Sequence, residues 1–168
     1  YWDEYGDRLE NLGAWYSDAR NTMVVNEDAP ITSLDELADH ADDFGNRIVG
    51  MEPGAGLTQM TEEQVIPSYG LESMDFVTSS TPALMTELER ATEAGDNIVA
   101  TLARPYWAYD AYPIRDLEDP DGAFGEAEEI RVTAREGFSE EYPTVTGWLE
   151  SFEMGDEHLL PLCNLIFN

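Results

Sequence analysis

RIVGMEPGAGLTQMTEEQV, residues 47–65, is the stretch whose reading decides the fold. Its apolar start, residues 47–51, reads as a buried strand. Glu52 and Pro53 break that strand, and Gly54-Ala55-Gly56 supplies a backbone free to turn tightly. Leu57, Met60, Thr61 and Val65 then recur at helical spacing, so a helix starts directly after the glycines. The first N–H groups of a helix have no partner within it, and with the positive end of the helix dipole they face whatever lies above the strand end. Two readings of this turn stand: a purely structural connection, or a seat for a carboxylate or phosphate, favoured by about 0.3–1 kcal/mol when exposed.

Working outward toward the C-terminus, Pro67 ends or kinks that helix and Gly70 closes it. Residues 75–78 form the next strand, and Ser79-Ser80-Thr81-Pro82 caps a helix whose face is Leu84, Met85, Leu88 and Ala91, ending at Gly95. Residues 97–102, NIVATL, are a further strand that leaves into ARPYWAYDAYP, rich in aromatics. Such alternation predicts an open α/β sheet, mixed but mostly parallel and flanked by helices, with ligands outside the carboxyl ends of the strands. Beyond it lie an acidic turn-rich loop at 116–125, a strand at 129–133, and a helix over 139–152 with Tyr142, Val145, Trp148, Leu149 and Phe152 inward. A last apolar helix follows Asp156. DLEDPDG misses the spacing of an EF-hand calcium loop.

Toward the N-terminus, Ser33 and Glu36 form a capping-box signature for a short helix carrying Leu34, Leu37, Ala38 and Ala41. Residues 21–25 read as a strand and residues 14–20 as a polar connection. Trp2, Tyr5, Leu9 and Leu12 form a helical stripe ending at Gly13.

A chain of 168 residues suits one domain, or one lobe of something larger. Eight arginines, no lysine and 36 acidic residues give a formal net charge of −28, which argues against nucleic acid and anionic lipid as partners. The acid recurs on most helix faces, so it reads as a solvated surface and, as a hypothesis, an adaptation to salt; an unchanged melting temperature between low and molar salt would count against that. No stretch is apolar for long enough to span a membrane, and residues 1–10 lack the pattern of a signal peptide, although an exported protein can have lost one. Cys163 is the sole cysteine, so no internal disulfide forms. No HExxH, GxSxG, Walker loop or paired-histidine spacing occurs, which leaves no expected catalytic residue, metal ligand or cofactor. Aromatics beside an anion-binding turn suit a zwitterion, its carboxylate on N–H groups and its cation on π faces.

RIVGMEPGAGLTQM, VTSSTPALMTELERA, VATLARPYWAYDAYPIRDLEDPDGAFGEAEEI and TAREGFSEEYPTVTGWL, in that order, resemble the glycine betaine type of substrate-binding protein of ABC importers. The resemblance implies a type II periplasmic-binding-protein fold, of which residues 1–168 make a single α/β lobe, the other being absent from this chain. It implies an extracytoplasmic protein, in the periplasm or at the cell surface and in some cases lipid-anchored. Such a protein delivers a quaternary-ammonium osmolyte to a membrane permease. It also implies site residues. In the family's glycine turn, backbone amides receive the ligand carboxylate; the matching positions are Gly56 and Leu57, with Ala55 and Thr58 adjacent. The family's W-x-P-H-W strand exit stands here as Ala103-Arg104-Pro105-Tyr106-Trp107, so alanine replaces the tryptophan that walls the aromatic cage. Three readings of that departure are open: Tyr106 or Trp107 fills the gap, the ligand is larger than glycine betaine, or the site has degenerated. A sensor or enzyme domain on the same fold, binding another small carboxylate, is the alternative function.

Overall fold

The computed structural model describes residues 5–167. Its centre is a six-stranded sheet: β1 (Leu9–Asn26), β2 (Arg47–Gly50), β3 (Asp75–Thr78), β4 (Val99–Arg104), β5 (Ile114–Asp116) and β6 (Glu128–Arg135). The order is β3-β2-β4-β1-β5, with β6 also pairing β1. The β3-β2-β4 half is parallel, whereas β1 runs antiparallel to β4, β5 and β6. The result is the expected mixed α/β sheet flanked by helices, but it is not mostly parallel: the long β1 pairs antiparallel with β4, β5 and β6, so only the β3-β2-β4 half keeps the parallel pairing that the alternation of elements predicts.

Period-2 alternation sends neighbouring residues into two cores. Met23 and Val25, Ile48, and Val99 enter one apolar cluster with Leu57, Val65 and Leu71. Val24, Val49, Ala100 and Leu102 enter the other, with Leu84, Met85, Leu88 and Ala91. The helical segment after β2 covers the first face: α1 (Gly56–Met60), a π-helical turn (Thr61–Val65) and α2 (Ile66–Ser68). Pro67 therefore lies inside the last turn, after the π-turn has already widened the ladder, and Gly70 closes the segment at φ 63°. The second face is covered by α3 (Thr81–Ala94), where the Ser80 hydroxyl accepts from the Ala83 amide and Gly95 adopts φ 71° beyond the C-terminus. One close approach needs glycine: a Cβ on Gly50 would lie 2.5 Å from the Phe76 ring.

Other expectations fail. The stripe through Tyr5, Leu9 and Leu12 is not a helix; beyond a single 3-10 turn at Gly6–Arg8, the chain from Leu9 is strand, and Trp2 lies outside the described residues. Residues 14–20 are strand too, because β6 pairs with this half of β1 through three register shifts. The helix over 139–152 is broken into α5 (Phe138–Glu141) and α6 (Pro143–Glu150), since Tyr142, preceding a proline, leaves helical geometry at φ −128°, ψ 58°. Tyr142, Val145, Trp148 and Phe152 are exposed rather than inward; α6 packs on β1 and on the short α5 with its other side chains. Leu149 is half-buried. The short helix after Ser33 is a pair of 3-10 turns, Leu34–Glu36 and Ala41–Phe44, that still bury Leu34, Leu37 and Ala41 and keep the capping box. The last helix is α7 (Asp156–Phe167), as expected, and a short α4 (Ala108–Ala111) follows β4.

Candidate functional site

The carboxyl ends of β2, β3 and β4 open on one edge, and their exits are tied together. The Ser79 amide donates to the Gly50 carbonyl at 3.1 Å. Glu52, just past β2, accepts from the Thr81 amide at 2.8 Å and from its hydroxyl at 2.9 Å, so the start of α3 already holds a carboxylate of this chain. The bond to the Thr81 amide is the main reason that the Glu52 carboxyl titrates below its ordinary range.

The start of α1 is different. Gly54 takes φ 88°, the Ala55 amide closes the turn on the Glu52 carbonyl at 3.1 Å, and Ala55 is the N-cap with no side chain able to accept. The first intrahelical bond runs from the Gln59 amide to the Ala55 carbonyl, 3.0 Å. The amides of Gly56, Leu57 and Thr58 precede it and are the helix's orphan donors. Side chains hold the turn from beneath: Leu57 is buried in the α1-side core, and the buried Thr58 hydroxyl donates to the Glu52 carbonyl at 3.0 Å. Above, Gly54 and Gly56 are open, and a Cβ on Gly56 would meet nothing within 4 Å. Gly56, Leu57 and Thr58 can therefore offer a ligand only their backbone.

At the end of β4, Ala103 is half-buried and stands opposite Asn21 of β1 in register, so both side chains point to the α1 face. The Arg104–Pro105 peptide is cis. Tyr106 and Trp107, with ring centroids 5.7 Å apart, are half-buried and pack against the α3-side cluster. The turn at 55–58 and Ala103 thus share one side of the sheet edge, while the two rings lie toward the other. Beside Ala103 is a cleft of about 320 Å³ lined by Asn21, Met60, Arg104, Phe124 and Glu126 among others. Phe124 is delivered by a loop organised around Asp119, whose carboxylate takes the Tyr69 hydroxyl and the amides of Ala123 and Phe124, 2.9 and 2.8 Å. The acidic loop at 116–125 therefore spends that carboxylate on its own backbone.

The two arginines of the cleft are engaged. Arg104 reaches Asp116 and Asp156, each at 2.7 Å, with its guanidinium 3.9 Å over the Tyr109 ring, and Arg20 reaches Asp116 at 3.0 Å and Asp18 at 3.1 Å. Burial opposes the charge on Arg104, but Asp116, Tyr109 and Asp156 outweigh it and its pKa rises. Burial first, and then Asp116, push the Tyr109 hydroxyl up, so it stays a neutral donor to Asp116 at 2.6 Å. Among the described residues no group of histidine, cysteine and carboxylate side chains is placed to hold a metal ion.

The open helix start and the cleft lie on the same side of an α/β sheet at its strand ends, the place where such sheets bind small molecules. A profile described as the substrate binding domain of ABC-type glycine betaine transport system matches residues 1–167, and the chain belongs to that family. The family is one of transport substrate-binding proteins, not enzymes. The chain is 30% identical over 124 residues to the glycine betaine/carnitine transport binding protein GbuC of Listeria monocytogenes, 73% of this chain and 41% of that protein. Among solved structures it is similar to a glycine betaine/L-proline-binding protein, ProX, from Borrelia burgdorferi, with TM-score 0.72, 29% identity, and coverage of 98% of this chain and 62% of that one. It is also similar to lactococcal OpuAC complexed with glycine betaine, with TM-score 0.73, 29% identity and coverage of 98% and 64%. The chain thus spans less than two thirds of the length of these relatives.

Sequence reasoning placed the glycine turn and the β4 exit at one sheet edge. It missed Asn21, Met60 and Phe124, which join the cleft through strand register and the Asp119 loop, neither of which leaves a local signal.

Proposed function

We propose that this chain is one lobe of an extracytoplasmic solute-binding component of an ABC importer, taking a quaternary-ammonium zwitterion such as glycine betaine and handing it to a membrane permease. The carboxylate sits on the amides at the start of α1, at Gly56 and Leu57, with Ala55 and Thr58 completing the turn. The cationic end lies at the β4 exit beside Ala103; Tyr106 and Trp107 belong to the same exit, but their rings pack toward the α3 side and would have to turn to line the site. The observation that carries this reading is the open helix start on the same side of the sheet as the Ala103 cleft. A second supports it: each of the arginines from 20 onward already bonds a carboxylate or backbone carbonyl of this chain, so a ligand carboxylate has backbone amides as its natural partner. The binding-protein relatives named above agree with the ligand class.

Gly56→Pro tests it. Gly56 is the first helical residue, where proline is well tolerated, and Ala55 at φ −64°, ψ 144° already has the backbone that precedes a proline. The substitution deletes one amide donor and leaves the helix. The expected result is a urea midpoint no lower than that of the unmodified chain and glycine betaine affinity reduced by at least about tenfold, the cost of a charge-assisted hydrogen bond. Unaltered affinity would overturn the carboxylate seat.

A further inference from the structure

The exit of β4 is held by a helix, α7, none of whose described residues lines the cleft beside Ala103. We infer that Asp156, the first residue of α7, is a positioning residue for the ligand site: acting through Arg104, it fixes the exit segment that carries Ala103, Tyr106 and Trp107. The inference rests on the reading given under Proposed function, and on contacts of α7 that the reading does not use.

Arg104 follows Ala103 directly, and both line the cleft. Its Nε donates to Asp116 of β5 and its Nη1 to Asp156, each at 2.7 Å, while the guanidinium lies 3.9 Å over the Tyr109 ring of α4. A planar fork held on two edges and one face keeps a single orientation. Asp156 is itself fixed, because its other carboxylate oxygen accepts from the Tyr16 hydroxyl of β1 at 2.8 Å and Tyr16 is buried. A second bond from α7 reaches the far end of the segment, where the Asn164 side-chain amide donates to Asp110 at 2.8 Å. Tyr106 and Trp107 lie in the chain between these two clasps, and α7 packs on α4 alongside them, with Leu159 and Leu160 buried.

Stability alone accounts poorly for this arrangement. The attraction within a largely buried ion pair is mostly offset by the desolvation of its charges, and apolar side chains of similar volume often serve as well. What a satisfied polar network adds is one fixed geometry. Here that geometry joins β5 and α7 to the strand exit at the residue next to Ala103. The carboxylate seat has a separate support, since the turn before α1 is held by the Thr58 hydroxyl on the Glu52 carbonyl and by the buried Leu57. Loss of Asp156 therefore loosens the cationic end of the site and leaves the carboxylate end in place.

The test is titration of the 15N-labelled chain with two probes, glycine betaine and acetate, the second having a carboxylate and no cationic end. For Asp156→Ala the expected result is glycine betaine affinity lowered by about tenfold, the cost of ordering one or two further side chains on binding, with acetate affinity read at the Gly56 amide unchanged. Tyr16→Phe removes a bond to Asp156 but leaves its pair with Arg104, so it should lower the urea midpoint and keep the glycine betaine affinity. Asp156→Glu should recover most of that affinity. Asn164→Ala opens the second clasp without touching an ion pair and should weaken glycine betaine by about threefold. Equal glycine betaine affinity in Asp156→Ala and the unmodified chain overturns the inference, as does acetate weakened in parallel, the mark of a merely structural loss. Should Asp156→Ala not fold, unaltered glycine betaine affinity in Asn164→Ala overturns it. An unmodified chain that binds neither probe removes the reading of the site itself, and this inference with it.

Discussion

Arg104→Met removes the hub that joins the sheet to the start of α7. The guanidinium side chain is 16% exposed, as is that of Asp116, and Asp156 is 36% exposed, so its two 2.7 Å ion pairs lie largely out of water. Breaking a buried pair costs about 3–5 kcal/mol when the remaining charge is orphaned. Here neither carboxylate is orphaned: Asp116 keeps Arg20 at 3.0 Å and the Tyr109 hydroxyl at 2.6 Å, and Asp156 keeps the Tyr16 hydroxyl at 2.8 Å. The expected cost is therefore about 2–3 kcal/mol, at or below the bottom of the orphaned-charge range, and at about 2–4 °C per kcal/mol for a chain of this size the melting temperature falls by about 4–12 °C. Arg131→Met is the control, since its pair with Glu129 is exposed on both sides, at 46% and 45%, and such pairs are worth about 0–1 kcal/mol. Urea unfolding followed by far-UV circular dichroism measures both variants. Equal midpoints for the two would refute the claim that burial gives the Arg104 pairs their strength.

Gly50→Ala forces the Phe76 ring away from a Cβ only 2.5 Å distant and should destabilise the fold by about 1–3 kcal/mol; a urea midpoint equal to that of the unmodified chain would contradict the close approach. Glu52 has a folded pKa below the ordinary value of 4.5, so the stability its bond to Thr81 contributes is fully present above that value and is lost as pH falls through the lower folded pKa. A carboxyl titration followed by NMR should show a midpoint below 4.5 that returns toward the ordinary glutamate range in Thr81→Pro, which deletes both the amide and the hydroxyl donor at a first-turn position that accepts proline; a midpoint unmoved by that substitution would contradict the assignment.

The βα units between residues 47 and 104 were legible because each carried two independent signals, an apolar run of strand length and a cap or glycine at the junction. Leu84, Met85, Leu88 and Ala91 line the buried face of α3 as their spacing predicts. The first strand was not legible. Leu12 and Tyr16 are its buried residues in the outer half, four apart, an interval that puts two side chains on one face of a helix and also of a strand. The bulges opposite β6 then blur the alternation that would have decided between them. The aromatic residues of 142–152 look like a core because of what they are, yet Tyr142, Trp148 and Phe152 are exposed, since their segment packs on β1 and the short α5 without being covered. At the site, the backbone donors could be read from glycine placement, whereas the cleft could not, since Asn21 and Met60 approach Ala103 only once the strands are in register.

The measurement closest to the central claim is a titration of the 15N-labelled chain with glycine betaine, followed by amide chemical shifts. A carboxylate accepting from the start of α1 should move the Gly56 and Leu57 amide protons downfield, with smaller shifts at Ala103 and Asn21 and none at the Thr81 amide, which Glu52 already occupies. Shifts confined to other parts of the chain, with Gly56 and Leu57 unmoved at saturation, would contradict the account.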